Sequence, residues 1–238
     1  MKITFIHHSS FLVELDTMCL LFDYTEGTLP KFPAHKPLLV FASHRHGDHY
    51  SSKILEFQKI HESVRYVLSD DIERKQFSKE ISERVTAVEP GEIYHLSIPE
   101  AGEEVQVQTF RSTDEGVAFL IKAEGKTIYH AGDLNHWRWE GEPESWNEDM
   151  AKQFSAEMDK LAGAHMDAAF LPLDPRQEKN FYLGFDEFMR KAFAAHAFPM
   201  HCWGDFSVIE RLKEMEVSAP YRERIAVIQR DGDSFEIN

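Results

Sequence analysis

The chain has 238 residues, 42% of them hydrophobic, which is enough for one sizeable core; no linker-like tract interrupts it, so a single domain spanning 1–238 is expected. With 41 acidic against 26 basic residues the net charge is −15, which disfavours nucleic acid as a partner. Cys19 and Cys202 are too few for a disulfide framework or a thiolate cluster, and no window approaches the ~20 apolar residues of a membrane span or resembles a secretory leader, so a cytoplasmic setting is expected.

The first third reads as short strands, "KITFI", "FLVELD", "MCLLFDY" and "PLLVFAS", rich in β-branched and aromatic residues. A helix opening at a serine is expected over "SSKILEFQKIHE", then a strand "VRYVLS" and a short polar helix over "DDIERKQF". A strand series follows: "RVTAVEP", "EIYHLS", "EVQVQTF", and a hairpin of "GVAFLIKA" and "KTIYHA" turning at Glu124-Gly125. The remainder alternates: a helix over "PESWNEDMAKQFSAEMDKLAGA", a strand "DAAFLPLD", a helix near "GFDEFMRKAFAAH", a strand "FPMHCW", a helix near "DFSVIERLKEME", and strands "RIAVIQ" and "DSFEI". This order predicts an α/β fold with helices outside two central sheets.

One loop stands apart. "FASHRHGDHY" sets His44, His46, Asp48 and His49 within six positions directly behind a buried-strand pattern. Imidazoles and carboxylates are the usual ligands of zinc and related ions, and in an extended loop His44 and His46 point one way while Asp48 and His49 turn towards a second ion. Any one of these histidines alone is better read as an incidental residue of a polar surface loop; the ordered H-x-H-x-D-H set is not.

With that loop the chain resembles the metallo-β-lactamase superfamily, and more narrowly the branch that includes ascorbate-6-phosphate lactonase, through "HSSFLVE", "LLFD" and "IYHAGD". The resemblance implies a four-layer αββα sandwich holding two divalent metal ions, zinc first. It implies that Asp133 bridges the two ions, and that His201 completes the second ion's set with Asp48 and His49. As isolated residues, Asp133 would pass for a turn residue and His201 for a core histidine. The first ion of such a site takes a third histidine, and the corresponding region here, "TFRSTDEGVAF", has none. Asp114 is the expected replacement, ahead of Glu115 and Ser112. The other reading of Asp114 is a turn cap, with one tight metal site remaining. An oxygen ligand there shifts preference towards manganese or iron.

Other residues carry weaker signals. Asp23 is a candidate acceptor for a ligating histidine's second nitrogen; His7 and His8, at the first strand's end near the pocket, are read as supporting or structural residues or as ligands, and His130 as packed in a sheet. His136, Trp137 and Arg176 are substrate-side candidates; the planar fork of Arg176 is read either as pairing a substrate carboxylate or phosphate or as a surface ion pair. Trp137, Trp139 and Trp146 form either part of the core or a loop serving as a lid or subunit contact beside the metals. The expected activity is metal-dependent hydrolysis of a small anionic ester, lactone or phosphoester, with Asp48 and Asp133 at the reacting centre. A nucleic-acid phosphodiesterase and a non-hydrolytic or di-iron redox module are the alternatives. A small-molecule substrate and no membrane association are expected, and a homo-oligomer is left open.

Overall fold

The computed structural model describes residues 1–237. Its first sheet has seven strands: β1 (Lys2–His7), β2 (Ser10–Glu14), β3 (Cys19–Phe22), β4 (Leu38–Ala42), β5 (Val64–Ser69) and β6 (Val85–Val88), with β13 (Ser234–Glu236) added outside β1. The second has six: β7 (Ile93–Ile98), β8 (Glu103–Arg111), β9 (Val117–Ala123), β10 (Lys126–His130), β11 (His165–Pro172) and β12 (Phe193–Met200), in spatial order 12-11-10-9-8-7.

The sheets meet through aromatic rings. Phe11, Phe22 and Phe41 face Phe119, His130 and Phe170, with centroids 4.3 Å apart for Phe11–Phe170 and 5.3 Å for Phe41–Phe119. β4 is buried on both faces: Leu39 and Phe41 join the core between the sheets, while Leu38, Val40 and Ala42 pack outward with Ile54, Phe57 and Tyr66. A continuous apolar run is what such a doubly covered strand requires.

Of the helices, α1 (Lys79–Ser82) is a single turn, α2 (Glu144–Lys160) and α3 (Leu183–Lys191) pack on the outer face of the second sheet, and α4 (Ser207–Glu214) closes one side. Phe188 of α3 stacks on Tyr129 of β10 at 4.9 Å. None of these helices is long and apolar enough to cross a membrane. The layering is the expected αββα sandwich.

Four local expectations change. Residues Ser52–Lys59 form a 3-10 helix rather than an α-helix; its buried residues, Ile54 and Phe57, are three apart and match three residues per turn. "DDIERKQF" makes turns, because Ile72 is its one fully buried anchor, and helix starts only where the Ser78 hydroxyl accepts the Ile81 N–H. The helix read over "GFDEFMRKAFAAH" stops at Lys191, since Phe193–Met200 pairs in parallel with β11. "RIAVIQ" makes only an isolated bridge, Ala197 with Ile225. The hairpin forms as expected, with Glu124 (φ 51°) and Gly125 (φ 72°) both in the left-handed region that a two-residue turn demands.

Pairing directions decide where the site lies. β3 through β6 run parallel, and β1 runs with them through the antiparallel β2. In the second sheet β10, β11 and β12 are parallel, and β8 runs with them through β9. The carboxyl ends of β1, β3, β4 and of β8, β10, β11, β12 therefore open at the sandwich edge where His8, Asp23, His44, Asp114, Asp133, Asp174 and His201 are found.

Candidate metal centre

The loop leaving β4 is a tight turn rather than an extended segment. The His49 and Tyr50 amides both donate to the His46 carbonyl, at 3.0 and 2.8 Å, and bring His49 back against His44 with ring centroids 4.2 Å apart. Two glycines permit this packing: a Cβ on Gly116 (φ +68°) would lie 2.0 Å from the Ser43 carbonyl oxygen, and one on Gly132 (φ +52°) 2.7 Å from Ser43 Cβ.

The imidazoles are held by their Nδ1 atoms. His49 Nδ1 donates to the fully buried Asp23 carboxylate at 2.7 Å, and His201 Nδ1 to the equally buried Asp174 at 2.9 Å. Ser43 Oγ donates to Asp23 at 2.7 Å and lies 3.0 Å from His44 Nδ1, so it is placed to accept from that ring. Each ring thus turns its Nε2 inward. The Nε2 atoms of His8, His44, His49 and His201, together with Asp133 Oδ1, are buried and have no hydrogen-bond partner among the described residues. A folded chain rarely leaves so many buried polar atoms unsatisfied unless something else binds them.

These atoms fall into two sets. His44, His46, Asp114 and Asp133 make one, and His8, Asp48, His49 and His201 the other; in each, one ligand atom per residue lies within 4.8 Å of all the rest. Asp133 faces both: Oδ2 is 3.6 Å from His44 Nε2, while Oδ1 is 3.2 Å from His49 Nε2 and 3.5 Å from His201 Nε2. Asp48 Oδ2 is 3.5 Å from His8 Nε2 and 3.8 Å from His201 Nε2. Ligands about 2.1 Å from a shared tetrahedral ion stand roughly 3.4 Å apart, so these separations suit a cation between the groups.

The electrostatics agree. Burial lowers the pKa of His8, and that of His44 to about 4, favouring the neutral imidazole that ligates. Burial and the Asp133 charge raise the Asp114 carboxyl. Burial opposes a charge on His49, yet Asp133 and Asp23 outweigh it and pull that pKa well above the usual value, so the centre draws positive charge into a buried position. Four non-glycine residues here have left-handed backbones, His8 (φ 51°), Asp23 (φ 42°), His201 (φ 61°) and Trp203 (φ 52°), a strain that well-determined functional sites tolerate.

Among the described hydrogen bonds none reaches the Asp114 carboxylate, whose Oδ2 is 3.7 Å from His46 Nδ1. Glu115 is engaged by Arg45 at 2.6 Å, and Ser112 Oγ accepts the Asp114 amide. His7 pairs with Asp231 at 2.9 Å. His130 is satisfied, Nε2 on the Ser9 carbonyl and Nδ1 on the Gly132 amide. His136 turns away towards Glu187 and Phe154. Arg176 gives Nε and Nη2 to Asp174, at 3.0 and 2.5 Å. Sequence reasoning left His8 between ligation and a supporting or structural role, and did not identify Asp174 as the partner of His201. The strand-end pattern "LPLD", parallel to the "LLFD" that flagged Asp23, was the available signal for the latter.

Two cavities flank the centre and share Asp48 and Trp203. One, of ≈ 320 Å³, is bordered by His46, Asp114, Asp133 and His201 and by Trp137, Trp139 and Trp146; the other, of ≈ 840 Å³, lies on the His8 side between Glu26, Phe206 and Arg230. The smaller touches both ligand sets and is the better placed for a reacting molecule.

Residues 2–145 match the family described as Beta-lactamase superfamily domain. A UPF0173 metal-dependent hydrolase of Alkaliphilus metalliredigens is 29% identical over 231 residues, covering 88% of each chain. One of Thermococcus kodakarensis is 30% identical over 145 residues, 56% of this chain, and the match spans 61% of that relative's length. Among solved structures, Igni18, a metallo hydrolase from Ignicoccus hospitalis, superposes with a TM-score of 0.65 over 100% of this chain and 99% of its own at 18% identity, a likeness of fold. On its sequence match, and with the two-sheet sandwich and strand-end loop of that fold, the chain belongs to the beta-lactamase superfamily.

Proposed function

We propose that this chain is a hydrolase that works with two divalent cations, zinc first and manganese or iron as alternatives. The observation that carries the reading is the convergence of buried nitrogens of His44, His49 and His201, unpartnered among the described residues, on Asp133, with that of His8 beside Asp48. His44, His46, Asp114 and Asp133 would hold one ion, and His8, Asp48, His49 and His201 the other, with Asp133 between the two sets. When bound, such a pair supplies Lewis acidity towards a carbonyl or phosphoryl oxygen and acidifies water.

The chain's own groups do the rest. Asp23 and Asp174 fix the tautomers of His49 and His201, so both present Nε2 to the centre. Asp48 is partly exposed and borders both cavities; with Oδ2 turned to His8 and His201, its other oxygen would take a proton from an attacking water and return it to a leaving group. Negative reacting groups suit a pair of cations, so the class proposed is a small anionic ester, lactone or phosphoester. A nucleic-acid substrate is disfavoured by the charge of −15.

The test is metal analysis of protein loaded with zinc, manganese or iron, then a hydrolysis screen over lactones, phosphomonoesters and phosphodiesters. Two ions per chain and turnover of one of these classes are expected. One ion or none, with no turnover, would refute the proposal, and two irons with a visible absorption band and no turnover would favour redox chemistry.

A further inference from the structure

All four tryptophans of the chain line the 320 Å³ cavity beside the ligand sets. From this we infer that the cavity binds a flat, uncharged aromatic group of the substrate; that the cleaved ester, lactone or phosphoester is attached to that group rests on the hydrolase reading above.

The wall is built and fixed. Trp137 Nε1 donates to the Asp133 carbonyl at 2.9 Å, and Trp203 Nε1 to Asp174 at 3.3 Å, which ties both indoles to residues that shape the metal-ligand set. Trp139 lies parallel to Trp137, 2° between planes and 5.9 Å between centroids. Its backbone is clamped by the Asn147 side chain, which accepts from the Trp139 amide and donates to its carbonyl, both at 3.0 Å. Trp146, 37% exposed, has no aromatic neighbour among the described residues and leaves a ring face open beside Met150. Indoles anchored through N–H groups present rigid apolar faces at low entropic cost to a ligand.

The lining also argues against other occupants. A cationic group would meet Arg176, whose guanidinium already sits 4.3 Å over Trp203 and 5.8 Å from the Trp139 centroid. A sugar ring needs polar groups for its hydroxyls, and few here are free: Thr113 Oγ1 donates to the Asn135 carbonyl at 2.6 Å and accepts its amide at 3.0 Å, Arg176 gives Nε and Nη2 to Asp174, and His46, Asp48, Asp114, Asp133 and His201 belong to the ligand sets. A planar aromatic group makes no such demand.

The experiment uses the metal-loaded protein and 1-naphthalenemethanol, which is uncharged and has no bond to hydrolyse. Saturable quenching of tryptophan fluorescence is expected, weakened about tenfold in Trp139→Ala/Trp146→Ala at unchanged metal content. The single variant Trp146→Ala, altering a partly exposed side chain, gives the same reading should the double variant fold poorly. No quenching, equal affinity in the variants, or displacement by equimolar glucono-δ-lactone would overturn the inference. In a second arm, the preference in kcat/KM for 1-naphthyl acetate over ethyl acetate should fall about tenfold in the same variants. Binding of the naphthyl alcohol with neither ester cleaved and no turnover in the lactone and phosphoester screen sinks the hydrolase reading and leaves the aromatic site standing; turnover without an aryl preference or naphthyl binding does the reverse.

Discussion

Asp174→Asn tests whether buried carboxylates behind the imidazoles hold the centre together. Asp174 is fully buried and accepts from His201 Nδ1 at 2.9 Å, Arg176 Nε at 3.0 Å, the Arg176 amide at 2.8 Å and Trp203 Nε1 at 3.3 Å. Its carboxyl is held down to about 2: burial pushes it up, and the His201 and Arg176 hydrogen bonds outweigh that. An asparagine keeps the shape but brings one acceptor oxygen and a donating amide. If the oxygen serves His201, the amide faces Arg176, leaving a charged donor unmatched at about 2 kcal/mol. For a chain of this size that corresponds to a melting point lower by roughly 4–8 °C. Loss of the carboxylate also loosens the His201 ring, which typically weakens metal binding by about 10–100-fold. The loss should be confined to the set with Asp48 and His49, because among the described hydrogen bonds Asp174 makes none to His44, His46 or Asp114. Chelator competition followed by metal analysis, with melting curves of the metal-free protein, reads both effects. An unchanged affinity for both ions, or equal weakening at both, would refute the argument.

His8→Ala should weaken the second ion by about 10–100-fold in the same competition assay while the first stays bound; unchanged affinity would return His8 to a packing role. Asp114→Ala should lose the ion held with His44 and His46, and Asp114→His should restore it with preference moved towards zinc; two tight ions in the alanine variant would mean the carboxylate does not ligate. Gly116→Ala places a methyl 2.0 Å from the Ser43 oxygen at φ +68°, and should cost about 3 kcal/mol or more and disturb the His44 set, read as a lower melting point and lost metal; a melting point within error of wild type contradicts that packing. His44→Ala and His49→Ala should each reduce metal content and abolish hydrolysis, and a variant lacking both histidines that still held two ions would remove the loop from the site.

What could be read from the chain was local. The H-x-H-x-D-H order stood out because one short loop carries it, and β4 announced itself as an unbroken apolar run that only a strand covered on both faces would have. What could not be read depends on partners distant in sequence. His8 reaches Asp48 because β1 ends at the same edge as β4, and Asp174 meets His201 across the parallel pair of β11 and β12. Trp203 joins the other three tryptophans only after β12 has been placed. The same override explains the residues Phe193–His196: helical in composition next to α3, they became strand because β11 offered a parallel edge. The turn at 70–77 shows the converse, a charged stretch without an apolar stripe for a helix to bury.

The most direct test of the account is anomalous diffraction from crystals of the zinc-loaded protein. Two peaks are predicted, one on either side of Asp133, the first among His44, His46 and Asp114 and the second among His8, Asp48, His49 and His201. A single peak, or none within coordinating distance of Asp133, would contradict it.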